Sequence, residues 1–388
     1  MATKVSIVHC RDYESSSVEY ALQQSLDLIG GLEKFIKAGQ RVLIKVNALM
    51  DSAPDTAVTT HPSLVSAVVK AVKRLGAIPM VGDTPGNATA DINKVMTATG
   101  IKQATEKAGG EIINLLESGS VEIASPSSHP RAKTLRITKA ALEVDAIINL
   151  PKLKTHNYTL FTGAIKNMFG CVPGFHKAHY HMLAYRPADF SEILVDVFQL
   201  TKPALNIMDG VFGMEGNGPT SGKIRFMGML IASSDAVALD AVASHLIGYK
   251  PFAIDTTRIA YQRHLGEARL EKIEIVGLSL TQMIKKDWKH PPTTLLLSRF
   301  IPDWIYTLIK PFTRIIRVNP AIDQKACLKC MICVNGCPTK TIHYLKGKVE
   351  IDLRNCIMCF CCHELCPYHA IHLKPGWPLR LLGIGQDN

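Results

Sequence analysis

Over the first 290 residues, short runs of Val, Ile and Leu alternate with longer stretches whose apolar residues recur at helical spacing. That alternation is the signature of an α/β domain with a mostly parallel sheet. The runs predict strands at 5–9, 41–45, 79–82, 111–115, 145–150, 205–208, 227–232 and 273–276. The helical spacing predicts helices at 17–28, 62–75, 90–97, 191–200 and 235–247, with Pro62 suited to a first helical turn behind Thr59, Thr60 and His61. After residue 290 the pattern changes. Residues 291–320 read as an amphipathic linker with Trp304, Tyr306 and Phe312, residues 321–375 as a small cysteine-rich domain, and 376–388 as a tail.

Polar residues fall just past the predicted strands, on the edge where open α/β sheets bind ligands. Asn47 follows RVLIK, Asp83 follows Gly82, Lys152 and Lys154 follow DAIINL, and Asp209 follows Met208. The segment from Pro151 to His181 is densest in chemistry, with Lys152, Lys154, His156, Lys166, Asn167 and Lys177 interleaved with apolar residues. Ammonium and imidazolium groups match the oxygens of a carboxylate or phosphate. Asn47, Lys152, Lys166, Asn167 and Asp209 are therefore candidate substrate contacts, and His156, Asp83 and Lys154 candidate catalytic groups. His176, His179 and His181, with Cys171 nearby, leave a mononuclear metal site open as an alternative. No dinucleotide fingerprint and no phosphate-binding P-loop motif occurs.

The cysteines carry the sharpest signal. Of the 11, eight form two copies of C-x2-C-x2-C-x3-C-P: Cys327, Cys330, Cys333, Cys337 and Cys356, Cys359, Cys362, Cys366. In the bacterial two-cluster run, three close cysteines hold one 4Fe-4S cluster and the fourth holds the other. The spacing predicts Cys327, Cys330, Cys333 and Cys366 on one cluster, and Cys356, Cys359, Cys362 and Cys337 on its partner. Zinc would call for separated pairs. Cys361 breaks the spacing and is expected to be a non-ligand, and Cys10 a small core residue.

The formal charge of +11 is lowered, not cancelled, by two oxidised clusters of roughly −2 apiece. The basic residues lack aromatic interleaving or a nucleic-acid motif, so an anionic substrate or an acidic redox partner is expected rather than nucleic acid. The first residues lack a signal peptide's features, and the most apolar window, 295–316, is interrupted by charges and prolines. A cytoplasmic protein without membrane association is the expectation.

Six segments together resemble the DUF362 family, which is named for its lack of a known function and is often followed by a two-cluster ferredoxin module: LIKVNAL at 43–49, TTHP at 59–62, GDTPG at 82–86, NLPKLKTH at 149–156, TGAIKNMFG at 162–170 and SSDAVALDAVASHLIGY at 233–249. Val46 stands where the family more often has Pro. The resemblance implies domain identity and cluster ligation, and no substrate. Three functions fit these features: a ferredoxin-coupled reductase, an electron carrier docking a separate redox enzyme, and a metal or cluster maturation factor. More than 240 residues with polar loops on one edge favour the reductase.

Overall fold

The computed structural model of the protein describes residues 3–295 and 317–376. Most of the expected linker and tail lie outside these residues. The α/β domain carries strands β1 (Thr3–His9), β2 (Arg41–Lys45), β3 (Ile78–Gly82), β4 (Glu111–Ile112), β5 (Ser120–Ala124), β6 (Thr134–Thr138), β7 (Ala146–Asn149), β8 (Lys152–His156), β9 (Leu160–Thr162), β10 (Leu205–Glu215), β11 (Lys223–Ser233) and β12 (Ile273–Gly277). Strands β5 and β6 form a separate antiparallel hairpin. The other ten make one sheet in the order β12-β1-β11-β10-β7-β2-β3-β4, with β8 joined to β10 and β9. Pairings β2–β3, β2–β7, β3–β4, β10–β7, β10–β8 and β1–β12 are parallel, so the sheet is mostly parallel.

Strand β2 shows why both faces of this sheet are covered. RVLIK is an almost unbroken apolar run, as a central parallel strand requires, and successive side chains point to opposite faces. Val42 and Ile44 join a core with Leu64, Val65 and Val68 of helix Pro62–Arg74 and Leu22 of helix Ser15–Ile29. Leu43 faces the other way, into a core with Ile193 and Leu194 of helix Pro187–Thr201 and Leu239 of helix Ala236–Leu246. Each such buried side chain contributes about 1.5–3 kcal/mol. Pro62 occupies the first turn of its helix, and His61 Nδ1 accepts from Ser63 N at 3.2 Å, filling a donor that the helix leaves unpaired.

Three elements depart from the sequence expectations. Residues 152–156, expected as a loop, form β8, because Lys152 and Lys154 find partners inside the protein. Strand β10 runs past Met208 to Glu215, pairing with a β11 that starts at Lys223, so Asp209 lies within a strand instead of after one. The strand expected at 111–115 shrinks to Glu111–Ile112.

The small unit contains β13 (Val318–Ile322), β14 (Ile342–Leu345), β15 (Lys348–Ile351) and β16 (Ile371–Pro375), paired β13–β16 and β14–β15. Helices Ile332–Asn335 and Cys361–Leu365 each start within a cysteine run. The unit sits against the edge of the main sheet that carries Asn47 and Asp83. Ser221 Oγ meets His369 Nδ1 at 3.0 Å, and His156 Nε2 lies 3.3 Å from Glu364 Oε1.

Candidate functional site

At the ends of β2 and β3 the backbone turns into a polar cradle. Asp83 pairs with Lys45 at 2.8 Å and accepts from Ala48 N at 2.6 Å and Thr84 N at 2.7 Å. Gly170 is obligatory beside this pair: a Cβ there would lie 2.0 Å from Asp83 Oδ1 and 2.5 Å from Lys45 Nζ. Lys154 Nζ donates to Asn47 Oδ1 (3.0 Å) and Val58 O (2.6 Å). Asn47 Nδ2 donates to Asn167 Oδ1, Asn167 Nδ2 to Asn149 Oδ1, and Asn149 Nδ2 to Asn206 Oδ1, so a chain of buried amides crosses from β2 to β10. Burial, with the charges of Lys166 and Lys152, pushes Lys154 down to about 7.

Lys152 and Asp209, expected among the substrate contacts, lie outside the cradle in a network of their own. Lys152 Nζ pairs with Asp209 Oδ2 at 2.9 Å and donates to Tyr13 OH at 2.6 Å, and Tyr13 OH donates to Asp209 Oδ1 at 2.6 Å. His61 stacks on Tyr13 with ring centroids 3.5 Å apart, and its backbone N–H donates to Asp209. Both side chains are buried and paired within this network, which ties β8 to β10.

A cavity of about 170 Å³ lies between the two units. Its α/β wall includes Asn47, Asp83, Lys166, Asn167, Lys177 and His181, and its other wall Cys361, Glu364 and Leu365. Lys177 Nζ donates to Thr84 O (2.6 Å) and Pro85 O (3.0 Å), and burial pushes it down to about 7. Lys166 Nζ makes no hydrogen bond and no ion pair with the described residues. Burial lowers its pKa, opposed by Glu364. His156 is fully buried behind Glu364; its Nδ1 accepts from Tyr158 N (3.0 Å) and Thr159 N (3.3 Å), which leaves the Nε2 side toward the carboxylate. Burial pushes Glu364 up to about 7 against the pull of Lys166 and Lys154.

The cavity therefore unites Asn47, Asp83, Lys166 and Asn167, while Lys154 and His156 stand one contact behind it. Asp83 pairs with Lys45 and accepts from two backbone N–H groups. Lys45, Asn149, Asn206, Gly170, Tyr13 and Glu364 were not visible as site residues in the sequence. Of these, Lys45, Asn149 and Gly170 lie in the segments LIKVNAL, NLPKLKTH and TGAIKNMFG, and the other three carried no local signal.

The cysteine loops are shaped to surround a cluster. A cavity is lined by Cys327, Cys330, Cys333 and Cys366 together. Cys356 lies near Cys359 and Cys337, and Cys362 lies near Cys359, Cys356, Cys333 and Cys337. Left-handed residues fall at matching places in the two repeats: Lys329 and Met331 in the first, Met358 and Phe360 in the second. Such turns aim consecutive N–H groups inward, making a nest for an anion. Backbone N–H groups also reach the fourth cysteines, Thr341 N to Cys337 Sγ at 3.4 Å and Ala370 N to Cys366 Sγ at 3.3 Å. Cys361 lines the interdomain cavity.

No group of three or more His, Cys, Asp or Glu side chains among the described residues converges on a single ion. Cys171, His176, His179 and His181 are split between places: His181 lines the interdomain cavity, and His176 and His179 line a groove on the other side of their helix. His181 stacks on Phe190 at 3.9 Å and burial pushes it down to about 3, while His176 and His179 flank Tyr180 on the outer side.

The fold and the cysteine loops define an iron–sulfur protein built on an α/β domain. The chain belongs to the DUF362 family: the domain of unknown function (DUF362) matches residues 42–245, and a 4Fe-4S dicluster domain matches residues 319–367. A thylakoid-associated protein of Synechocystis sp. is 32% identical over 314 residues, which is 80% of this chain and 95% of that protein. Among solved structures, the lactate racemase apoprotein from Thermoanaerobacterium thermosaccharolyticum matches with a TM-score of 0.42 and 13% identity over 63% of this chain. A Thermotoga maritima protein matches with a TM-score of 0.37 and 11% identity over 64%. The chain spans 57% and 59% of those two chains. No helix among the described residues is long and apolar enough to cross a membrane.

Proposed function

We propose that the protein is a ferredoxin-coupled reductase acting on a small anionic substrate in the interdomain cavity. One observation carries this: the unpartnered ammonium of Lys166 and the helix bearing Cys361 and Cys362 face the same cavity. In this assignment Cys327, Cys330, Cys333 and Cys366 hold one 4Fe-4S cluster, and Cys356, Cys359, Cys362 and Cys337 the other. Bound clusters supply electrons one at a time. A separate redox protein is the external reductant, and it meets the small unit on the side of Cys330, which is exposed, whereas Cys359 and Cys362 are buried.

Reducing an unsaturated or carbonyl bond takes two electrons, one from each cluster, and two protons, one carried by the Glu364 carboxyl at the cavity wall and one by solvent water. Lys166 binds the substrate's anionic group, with the Lys177 ammonium nearby. Asn47 and Asn167 orient it through amides fixed by Lys154 and Asn149. His156 is a positioning residue that holds Glu364 at the cavity wall. A carrier that only docked another enzyme would need no cationic cavity.

The test is reoxidation of the anaerobically reduced full chain by a panel of unsaturated and 2-oxo carboxylates. A charge-assisted contact is worth about 1.5–3 kcal/mol, roughly ten- to a hundredfold or more in rate. Lys166→Met should lose that much with cluster spectra unchanged, while Lys286→Met, on an exposed residue, should not. If no carboxylate reoxidises the clusters, or the two variants behave alike, the reductase assignment fails and the carrier takes its place.

A further inference from the structure

A second cavity, about 500 Å³ and open to solvent, lies on the outer side of helix Gly174–Leu183, between it and the β5–β6 hairpin. Arg131, Lys133, Arg136, His176 and His179 line it, against one carboxylate, Glu122, which pairs with Arg136 at 2.9 Å. The groove is braced: Tyr180 OH accepts from Arg136 N at 2.8 Å, and Arg131 lies over the Tyr185 ring. The imidazoles of His176 and His179 flank Tyr180, and burial, helped by the charge of Arg136, lowers the pKa of His176. Arg131, Lys133 and Arg136 thus share one carboxylate among three cations. Phe175, 72% exposed, lines this groove and the interdomain cavity alike.

We propose that the groove is a second anion subsite, holding the phosphoryl end of an extended substrate whose reducible, anionic end reaches past Phe175 to Lys166. Arginine forks and imidazoles match the several oxygens and double charge of a phosphoryl group better than a lone carboxylate. The substrate class is then a linear molecule with an anionic group at each end. The extended-substrate part rests on the cavity being the substrate site; the groove's affinity for phosphoryl groups does not.

Titration calorimetry of the anaerobically reconstituted full chain tests both parts, with sodium pyrophosphate and a series of linear ω-phosphonoalkanoates of increasing length as probes. Arg131 and Lys133 are exposed, so Arg131→Gln/Lys133→Gln should fold normally. Pyrophosphate should bind the parent and lose roughly tenfold in affinity in this variant. It should bind unchanged to Lys166→Met and to the charge-matched control Lys346→Gln/Lys348→Gln on the exposed β14–β15 turn. At the best-fitting length, the phosphonoalkanoate should be weakened by both the groove variant and Lys166→Met. Absence of pyrophosphate binding, or equal losses in groove and control variants, overturns the subsite. Phosphonoalkanoate binding that ignores Lys166→Met at every length overturns the extended substrate. Failure of the reductase assignment shows separately, as reoxidation indifferent to Lys166→Met while these binding results stand.

Discussion

His156 Nε2 lies 3.3 Å from Glu364 Oε1, so a strand of the α/β domain and the helix of the small unit that carries Cys361 and Cys362 meet at a buried polar contact. Lys154 and Lys166 surround the same carboxylate electrostatically. A cycle of His156→Gln, Glu364→Gln and the double variant should therefore show a coupling of about 0.5–3 kcal/mol in thermal unfolding followed through the clusters' visible bands. Strictly additive losses would show that the two units merely touch.

Lys154→Met should destabilise the α/β domain. The ammonium is fully buried and bonded to Asn47 Oδ1 and Val58 O. Methionine leaves both acceptors without that donor at a cost of about 2–4 kcal/mol. Urea unfolding measures it; a midpoint equal to that of the parent would place this lysine on the surface.

Lys154 and Lys177 should contribute stability that rises with pH above neutrality. The folded pKa values of Lys154 and Lys177 are pushed down from 10.5 to about 7, so between these values the unfolded chain binds more protons than the folded one, and the slope of stability with pH is positive. Asp240 has the opposite sign. It accepts from Ala164 N and Ile165 N, and burial raises it from 3.8 to about 7. Its contribution is present below 3.8 and lost as pH rises toward 7. Urea midpoints across the alkaline range should climb more steeply in the parent than in Lys154→Met, and parallel curves would refute the assignment to Lys154.

Anaerobic reconstitution should give about eight irons and eight sulfides per chain. Cys337→Ala should damage the cluster bounded by Cys356, Cys359 and Cys362, whereas Cys361→Ala should leave iron content unchanged. Four irons in the parent, or cluster loss on replacing Cys361, would overturn the ligand set.

The alternation of apolar runs determined the α/β class and most strands of the sheet, because a strand such as RVLIK, buried on both faces, must be apolar throughout whatever its neighbours are. Cysteine spacing fixed the iron–sulfur module for a similar reason, since ligands within one loop answer to local geometry. The lysines of NLPKLKTH were different. A cation after a strand reads as a loop residue, and only its partners decide whether it can be buried. Those partners are Tyr13 and Asp209 for Lys152, and Asn47 and the Val58 carbonyl for Lys154. Glu364, more than 200 residues from His156 along the chain, gave no sign that it would close the cavity from a second unit. Periodicity and spacing are local and survive in one dimension; the pairing of buried charges depends on which distant segments the sheet order brings together, and only the tertiary structure supplies that.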